Sequence, residues 1–97
     1  MTGCYIIYSK KLNKFYIGAT QDDLYVRIEK HNNHTYGNHR YTAKSNDWEL
    51  FVFIECVSYT QAIRIEKHIK KMKSSNYIKN LIEYPELVQK LKDKYND

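Results

Sequence analysis

Two runs decide the fold: Cys4-Tyr5-Ile6-Ile7-Tyr8-Ser9 and Phe15-Tyr16-Ile17-Gly18-Ala19-Thr20, separated by the polar stretch Lys10-Lys11-Leu12-Asn13-Lys14. Both are aromatic and β-branched, the composition that fits a pleated, half-buried surface, and they read as an antiparallel hairpin. That pairing sets Tyr5 opposite Gly18 or Ala19. Tyr5 and Tyr16 then become diagonal neighbours, and their side chains meet if they share a face of the sheet.

Outward from the hairpin, Asp22 and Asp23 suit the positive end of a helix dipole, and Leu24 to about Asn33 has helical spacing. Leu24 and Ile28 define its apolar stripe, yet Arg27 and His31 fall on the same side. The segment from His34 to Asp47 is polar and reads as a long surface loop able to close over a substrate. Trp48 to Val57 is apolar on both alternating faces apart from Glu49 and Glu55. That pattern predicts a central strand covered by helices on both sides. Ser58 with Gln61 resembles a capping box, and Ala62, Ile65, Ile69 and Met72 recur at helical spacing, predicting a helix from about Tyr59 to Met72. Glu66 lies on the flank of its buried stripe. A helix from Asn76 to Glu83 follows, and Pro85 suits the first turn of a last helix ending near Tyr95.

The order Gly3-Cys4-Tyr5, Tyr16-Ile17-Gly18, Arg27 with His31, then Glu66 and Asn80 resembles the GIY-YIG nuclease superfamily over roughly residues 3 to 80. The middle residue of the first tripeptide is changed and the second tripeptide is intact. The resemblance is nearest to the short single-domain members. It implies an α+β fold with a three-stranded antiparallel sheet flanked by helices on both faces. It also implies a divalent metal, Mg²⁺ or Mn²⁺, and hydrolysis of a nucleic-acid phosphodiester. The catalytic set carried over is Tyr5, Tyr16, Arg27, His31 and Glu66, with Glu66 as the metal ligand and Gly18 and Asn80 supporting. Ala19 departs from members that carry lysine after the glycine.

The chemistry of the residues asks for the same parts. Phosphodiester hydrolysis needs an activated water, a cation against charge developing on phosphoryl oxygens, and help for the leaving oxygen. Glu66 offers one hard carboxylate, which suits a magnesium ion that keeps most of its waters. Arg27 offers a planar fork for the scissile phosphate. Tyr5 or Tyr16 orients or deprotonates the water, with His31 as helper. Gly18, without a side chain, lets substrate or a neighbouring backbone approach closely. In the plainer reading the tyrosines are strand aromatics, and Arg27 and Glu66 form a structural ion pair. His31, His34 and His39 lack a companion that completes a zinc site at the usual spacing.

The 97 residues allow one domain, with 81–97 as a C-terminal helical extension, and its net charge of +5 favours a polyanion partner. From Arg64 to Lys79, Arg64, Lys67, Lys70, Lys71, Lys73 and Lys79 stand against Glu66 alone, an excess equal to that of the whole chain. Composition alone slightly favours the solvated face of a helix for these lysines; with the nuclease resemblance, Arg64, Lys67, Lys70, Lys71 and Lys73 are the expected phosphate footprint. The expected partner is DNA, with RNA also open, and the module works alone, as a homodimer or beside another protein. The alternative to a nuclease is a non-catalytic nucleic-acid-binding module with the same fold and basic helix. No apolar run nears the roughly eighteen residues of a membrane span, and no signal peptide opens the chain, so a cytoplasmic protein is expected. Cys4 and Cys56 read as free thiols.

Overall fold

The computed structural model describes residues 1–34 and 41–96. Along the chain run β1 (Gly3–Ser9), β2 (Lys14–Thr20), α1 (Leu24–Asn32), a short 3-10 helix (Tyr41–Lys44), β3 (Trp48–Glu55), α2 (Tyr59–Met72), α3 (Ser75–Glu83) and α4 (Pro85–Lys94). The hairpin forms in the expected register, with Tyr5 opposite Gly18 and Tyr16 opposite Ile7. Its turn is closed by Asn13 at φ 52°, a left-handed conformation that asparagine tolerates. Tyr8 donates from its hydroxyl to Asn13 Oδ1 at 2.6 Å.

The sheet order is β2-β1-β3 and both pairings are antiparallel, so the central strand is β1 and not the Trp48–Val57 run. β1 is buried at every position except Tyr8, whereas β3 exposes Glu49, Leu50 and Glu55. A register shift explains the misleading pattern. Ile6 pairs with Val52 but Ile7 pairs with Leu50, leaving Phe51 as the extra residue of a bulge. A bulge reverses which face the following residues point to. Val52 and Ile54 therefore join Cys4 and Ile6 on one face, while Trp48 joins Tyr5 and Ile7 on the other. The strand looks apolar on both faces because its inward parity changes midway.

Helices cover both faces. On one, Ala62, Ile65 and Ile69 of α2 pack against Cys4, Ile6, Val52 and Ile54, together with Ile78 and Leu81 of α3 and Leu91 of α4. Met72, expected on the α2 stripe, is instead 45% exposed, because the helix ends there and the chain turns away through Lys73 at φ 49°. On the other face, Leu24 and Ile28 of α1 pack with Tyr5, Ile7 and Trp48. The helices start where their caps predict. Asp23 accepts from the N–H groups of Tyr25 and Val26, and Ser58 accepts from that of Gln61 at 3.0 Å. Gln61 also accepts from the Val57 N–H at 2.8 Å and donates to the Lys92 carbonyl at 3.0 Å, tying α2 to the last helix.

Residues 35–40 of the His34–Asp47 segment lie outside the described residues, and the described remainder is not simply a surface loop. Thr42 and Ser45 are buried, and the Trp48 indole N–H donates to the Thr42 carbonyl at 2.8 Å. Asn32 exchanges two hydrogen bonds with the backbone of Trp48, at 2.7 and 3.0 Å, which locks the end of α1 to the start of β3. Asp47 accepts from the hydroxyls of Ser9 and Ser45 and from the Lys11 N–H, joining the segment to the hairpin turn. Together these donors hold its carboxyl at about 2, well below the usual carboxylate range. No helix among the described residues is long and apolar enough to cross a membrane.

Candidate active site

Tyr5 stands on the middle strand and points to the α1 face, where it is 1% exposed. Gly18 lies opposite it. A Cβ built at Gly18 would sit 2.5 Å from Tyr5 Cζ and 2.8 Å from Cε1. The group that approaches Gly18 closely is therefore the Tyr5 phenol, and any side chain at position 18 would push that phenol away.

The Tyr5 hydroxyl is 2.8 Å from His31 Nε2, and the other ring nitrogen, Nδ1, is 2.9 Å from the Thr42 hydroxyl. His31 is thus held between two hydroxyls, 4% exposed, with both nitrogens engaged. This explains how an imidazole is accommodated on the buried stripe of α1: its polar atoms are satisfied. Arg27, one turn earlier, brings Nε to 3.5 Å from the Tyr5 hydroxyl and a terminal nitrogen to 3.8 Å from Asp22. Both contacts are long, and the Arg27 side chain is 29% exposed. Its guanidinium therefore reaches the phenol oxygen and is also reached by solvent. Tyr16 is half-buried, with its ring 5.0 Å from that of His31. The two tyrosines do meet at one spot, and the imidazole lies against both.

Glu66 and Lys70 approach from α2. Glu66 Oε2 is 3.3 Å from Lys70 Nζ, and that amine lies 5.8 Å from the centre of the Tyr16 ring. Because α2 packs on the opposite face of the sheet, the two faces meet at β2, the edge strand. Glu66 pairs with Lys70 while Arg27 reaches Asp22, so the Arg27–Glu66 ion pair of the plainer reading does not appear among the described residues. The Glu66 side chain is 18% exposed and Lys70 is 49% exposed, so the pair is reachable from solvent. Behind them lies Cys4, whose thiol burial pushes well above its ordinary range, with the Glu66 carboxylate adding to the effect.

Other expected residues distribute differently. Asn80 is half-buried on α3, and no side-chain hydrogen bond from it to Glu66 or the tyrosines appears among the described residues. Arg64, Lys67 and Lys71 face a cleft toward α4, Lys73 caps α2, and Lys70 turns to Tyr16. His34 is 3.1 Å from the Ser45 carbonyl, and His39 lies outside the described residues. Sequence reasoning missed Thr42 as the partner that fixes His31, and missed Lys70 as the neighbour of Glu66. A lysine four residues after Glu66 carried a usable signal, since i and i+4 share a helix face. Thr42, in a polar stretch without periodicity, carried none.

Among the described residues no group of three or more His, Cys, Asp or Glu could hold a metal ion, so the donor a divalent ion would meet here is the single carboxylate of Glu66. That carboxylate is 18% exposed and carries Lys70 as its partner at 3.3 Å. Comparison with curated proteins and with solved structures gives no match. The order of Gly3 to Tyr5, Tyr16 to Gly18, Arg27, His31 and Glu66 nevertheless falls inside a stretch, residues 1–79, that matches the GIY-YIG catalytic domain, and the chain belongs to that nuclease family.

Proposed function

We propose that the chain is a divalent-metal-dependent endonuclease that hydrolyses DNA phosphodiester bonds. The observation that carries this reading is the junction of the Tyr5 hydroxyl with His31 on one side and Arg27 on the other, at 2.8 and 3.5 Å. A phenol needs a proton acceptor to serve as a base near neutrality, and a phosphate needs a cation beside the attacking water. Both requirements are met at one oxygen.

In this reading Tyr5 activates the water. With Nδ1–H donating to Thr42, His31 presents Nε2 as the acceptor for the phenol proton, and the phenolate takes a proton from the water as its oxygen bonds to phosphorus. The leaving oxygen departs with the electrons of the broken phosphorus–oxygen bond. Arg27 grips the phosphate with its planar fork, beside the Tyr5 oxygen. Glu66 would hold the metal, which supplies charge stabilisation to the phosphoryl group and leaving oxygen. Lys70 places a second cation between Glu66 and Tyr16, in a chain that has Ala19 after the glycine of its second tripeptide. Tyr16, more accessible than Tyr5, contacts substrate.

The test is incubation of the purified chain with supercoiled, branched and single-stranded DNA, and with RNA, in Mg²⁺ or Mn²⁺ and in EDTA. Metal-dependent nicking lost in Glu66→Ala, with circular dichroism unchanged, is expected. Salt-sensitive binding without cleavage of any substrate would overturn the catalytic reading and leave a binding module.

A further inference from the structure

On the side of α2 turned away from the tyrosines, a cleft of about 600 Å³ opens between α2 and the end of α4. Its walls carry Arg64, Lys67, Lys71 and Lys94, and no acidic side chain lines it among the described residues. Its floor is aromatic. The hydroxyl of Tyr95 is 2.8 Å from His68 Nδ1, the two rings meet edge to face at 5.6 Å, and the amine of Lys94 lies 5.6 Å from the Tyr95 ring centre. Met72, the side chain expected in the core, forms part of the same lining. Burial and the nearby charges of Lys94 and Lys71 push His68 below its ordinary range, so it does not add a further charge near neutrality.

We propose that this cleft holds one nucleotide of an unpaired nucleic-acid strand, with the base against Tyr95 and Met72 and the flanking phosphates on Lys67, Lys71 and Lys94. Lys67, Lys71 and Lys94 around a concavity that no acidic side chain lines among the described residues suit an anion. A volume of this order admits a single nucleotide rather than a duplex. Duplex phosphates need only a basic ridge, whereas an aromatic floor gives a base its stacking surface once it leaves the stack. Glu66 and Lys70 project toward the tyrosines from the same helix. A strand in the cleft therefore passes within about 10 Å, one helix diameter, of the candidate active site. The inference rests on the nuclease reading for its choice of polyanion, and it assigns that nuclease a substrate with an unpaired segment.

The full chain is titrated, in EDTA, into a single-stranded oligonucleotide carrying one 2-aminopurine and into a blunt duplex of the same sequence. Wild type is expected to change the probe's fluorescence on the single strand, with affinity that falls steeply as salt rises. Tyr95→Ala weakens single-strand binding about tenfold, while Tyr95→Phe, which keeps the ring and loses only the hydroxyl, binds as wild type. Lys67→Glu with Lys71→Glu, both exposed and remote from the core, weakens it further and flattens the salt dependence. Single-strand binding unchanged in both Tyr95→Ala and the lysine pair, equal losses on the duplex, or no single-strand binding by wild type overturns the cleft assignment. Cleavage in Mg²⁺ is read separately. Glu66→Ala keeps the EDTA binding, so an inactive chain that still binds through the cleft refutes the nuclease and spares the cleft, while an active chain indifferent to these variants does the reverse.

Discussion

Gly18→Ala adds one carbon, and the structure says what it would hit. The new Cβ would lie 2.5 Å from Tyr5 Cζ, where carbon atoms prefer about 3.5–4.0 Å, so the ring must retreat by roughly 1 Å. Tyr5 is 1% exposed and enclosed by Ile7, Leu24 and Trp48, so retreat strains its neighbours, at about 1–3 kcal/mol for overpacking. The 2.8 Å contact with His31 would stretch beyond hydrogen-bonding range, leaving a buried nitrogen unsatisfied at a further ~1–3 kcal/mol. Replacing a strand glycine returns only ~0.5–1 kcal/mol. The expected net loss is about 2–4 kcal/mol, which in a domain of this size lowers the melting temperature on the order of 10–20 °C. Because a 1 Å displacement at a reacting group costs about 10²-fold, nicking should fall by about that factor under conditions where the variant stays folded. Thermal melting and single-turnover nicking read the two effects. A double-mutant cycle isolates the cause: in a Tyr5→Ala background, Gly18→Ala should cost almost nothing in stability. Wild-type melting in the single variant, or an undiminished penalty once the ring is gone, would refute the argument that Gly18 exists to seat the phenol.

Tyr5→Phe should lower both stability, by about 1–3 kcal/mol, and nicking, because it strips His31 of a buried partner; Tyr16→Phe should lower nicking, and if neither rate falls the phenol chemistry is wrong. Lys70→Gln removes a positive charge close to the Glu66 carboxylate, worth about 1 kcal/mol at the surface. The half-saturating Mg²⁺ concentration should therefore drop about fivefold while the maximal rate falls, and an unchanged metal titration would remove Lys70 from the site. The Asp47 carboxyl, held at about 2, has a folded value below its unfolded one. Its contribution is therefore full above about pH 4 and is lost as pH falls toward 2. Asp47→Asn should lower the urea midpoint at neutral pH, and the gap to wild type should close across that window; a gap of constant size would show that the charge is not what matters.

Much of the fold and of the candidate site was legible in the chain because it is written in short-range terms. Strand composition, the Asp23 and Ser58 caps, and the position of Pro85 each act within a few residues, and each element formed where those signals stand. The Tyr5–Gly18 register followed from a hairpin whose connection is short. What stayed hidden depends on contacts between distant segments. The Phe51 bulge has no local signature, and without it an apolar run on both faces reads as a central strand. Thr42 matters only because the segment folds back onto His31, and nothing in a polar stretch announces a single buried hydroxyl. Lys70 was legible as charge but not as orientation, since whether it serves the tyrosines or the open face of α2 depends on how that helix docks on the sheet.

The bulge also turns the length of β3 into part of its information content. Paired without the bulge, the same residues would run in strict alternation with Val52 and Ile54 and send Trp48 to the α2 side, away from Asn32 and from the Thr42 carbonyl that receives its indole proton. Since Thr42 also fixes His31, loss of the bulge in a peripheral strand would be transmitted to the tyrosine pocket without altering any residue in it. Length changes between Trp48 and Glu55 should therefore be tolerated only at the bulge, where losing Phe51 keeps every β1–β3 pairing, while elsewhere β3 drifts in composition and holds its residue count.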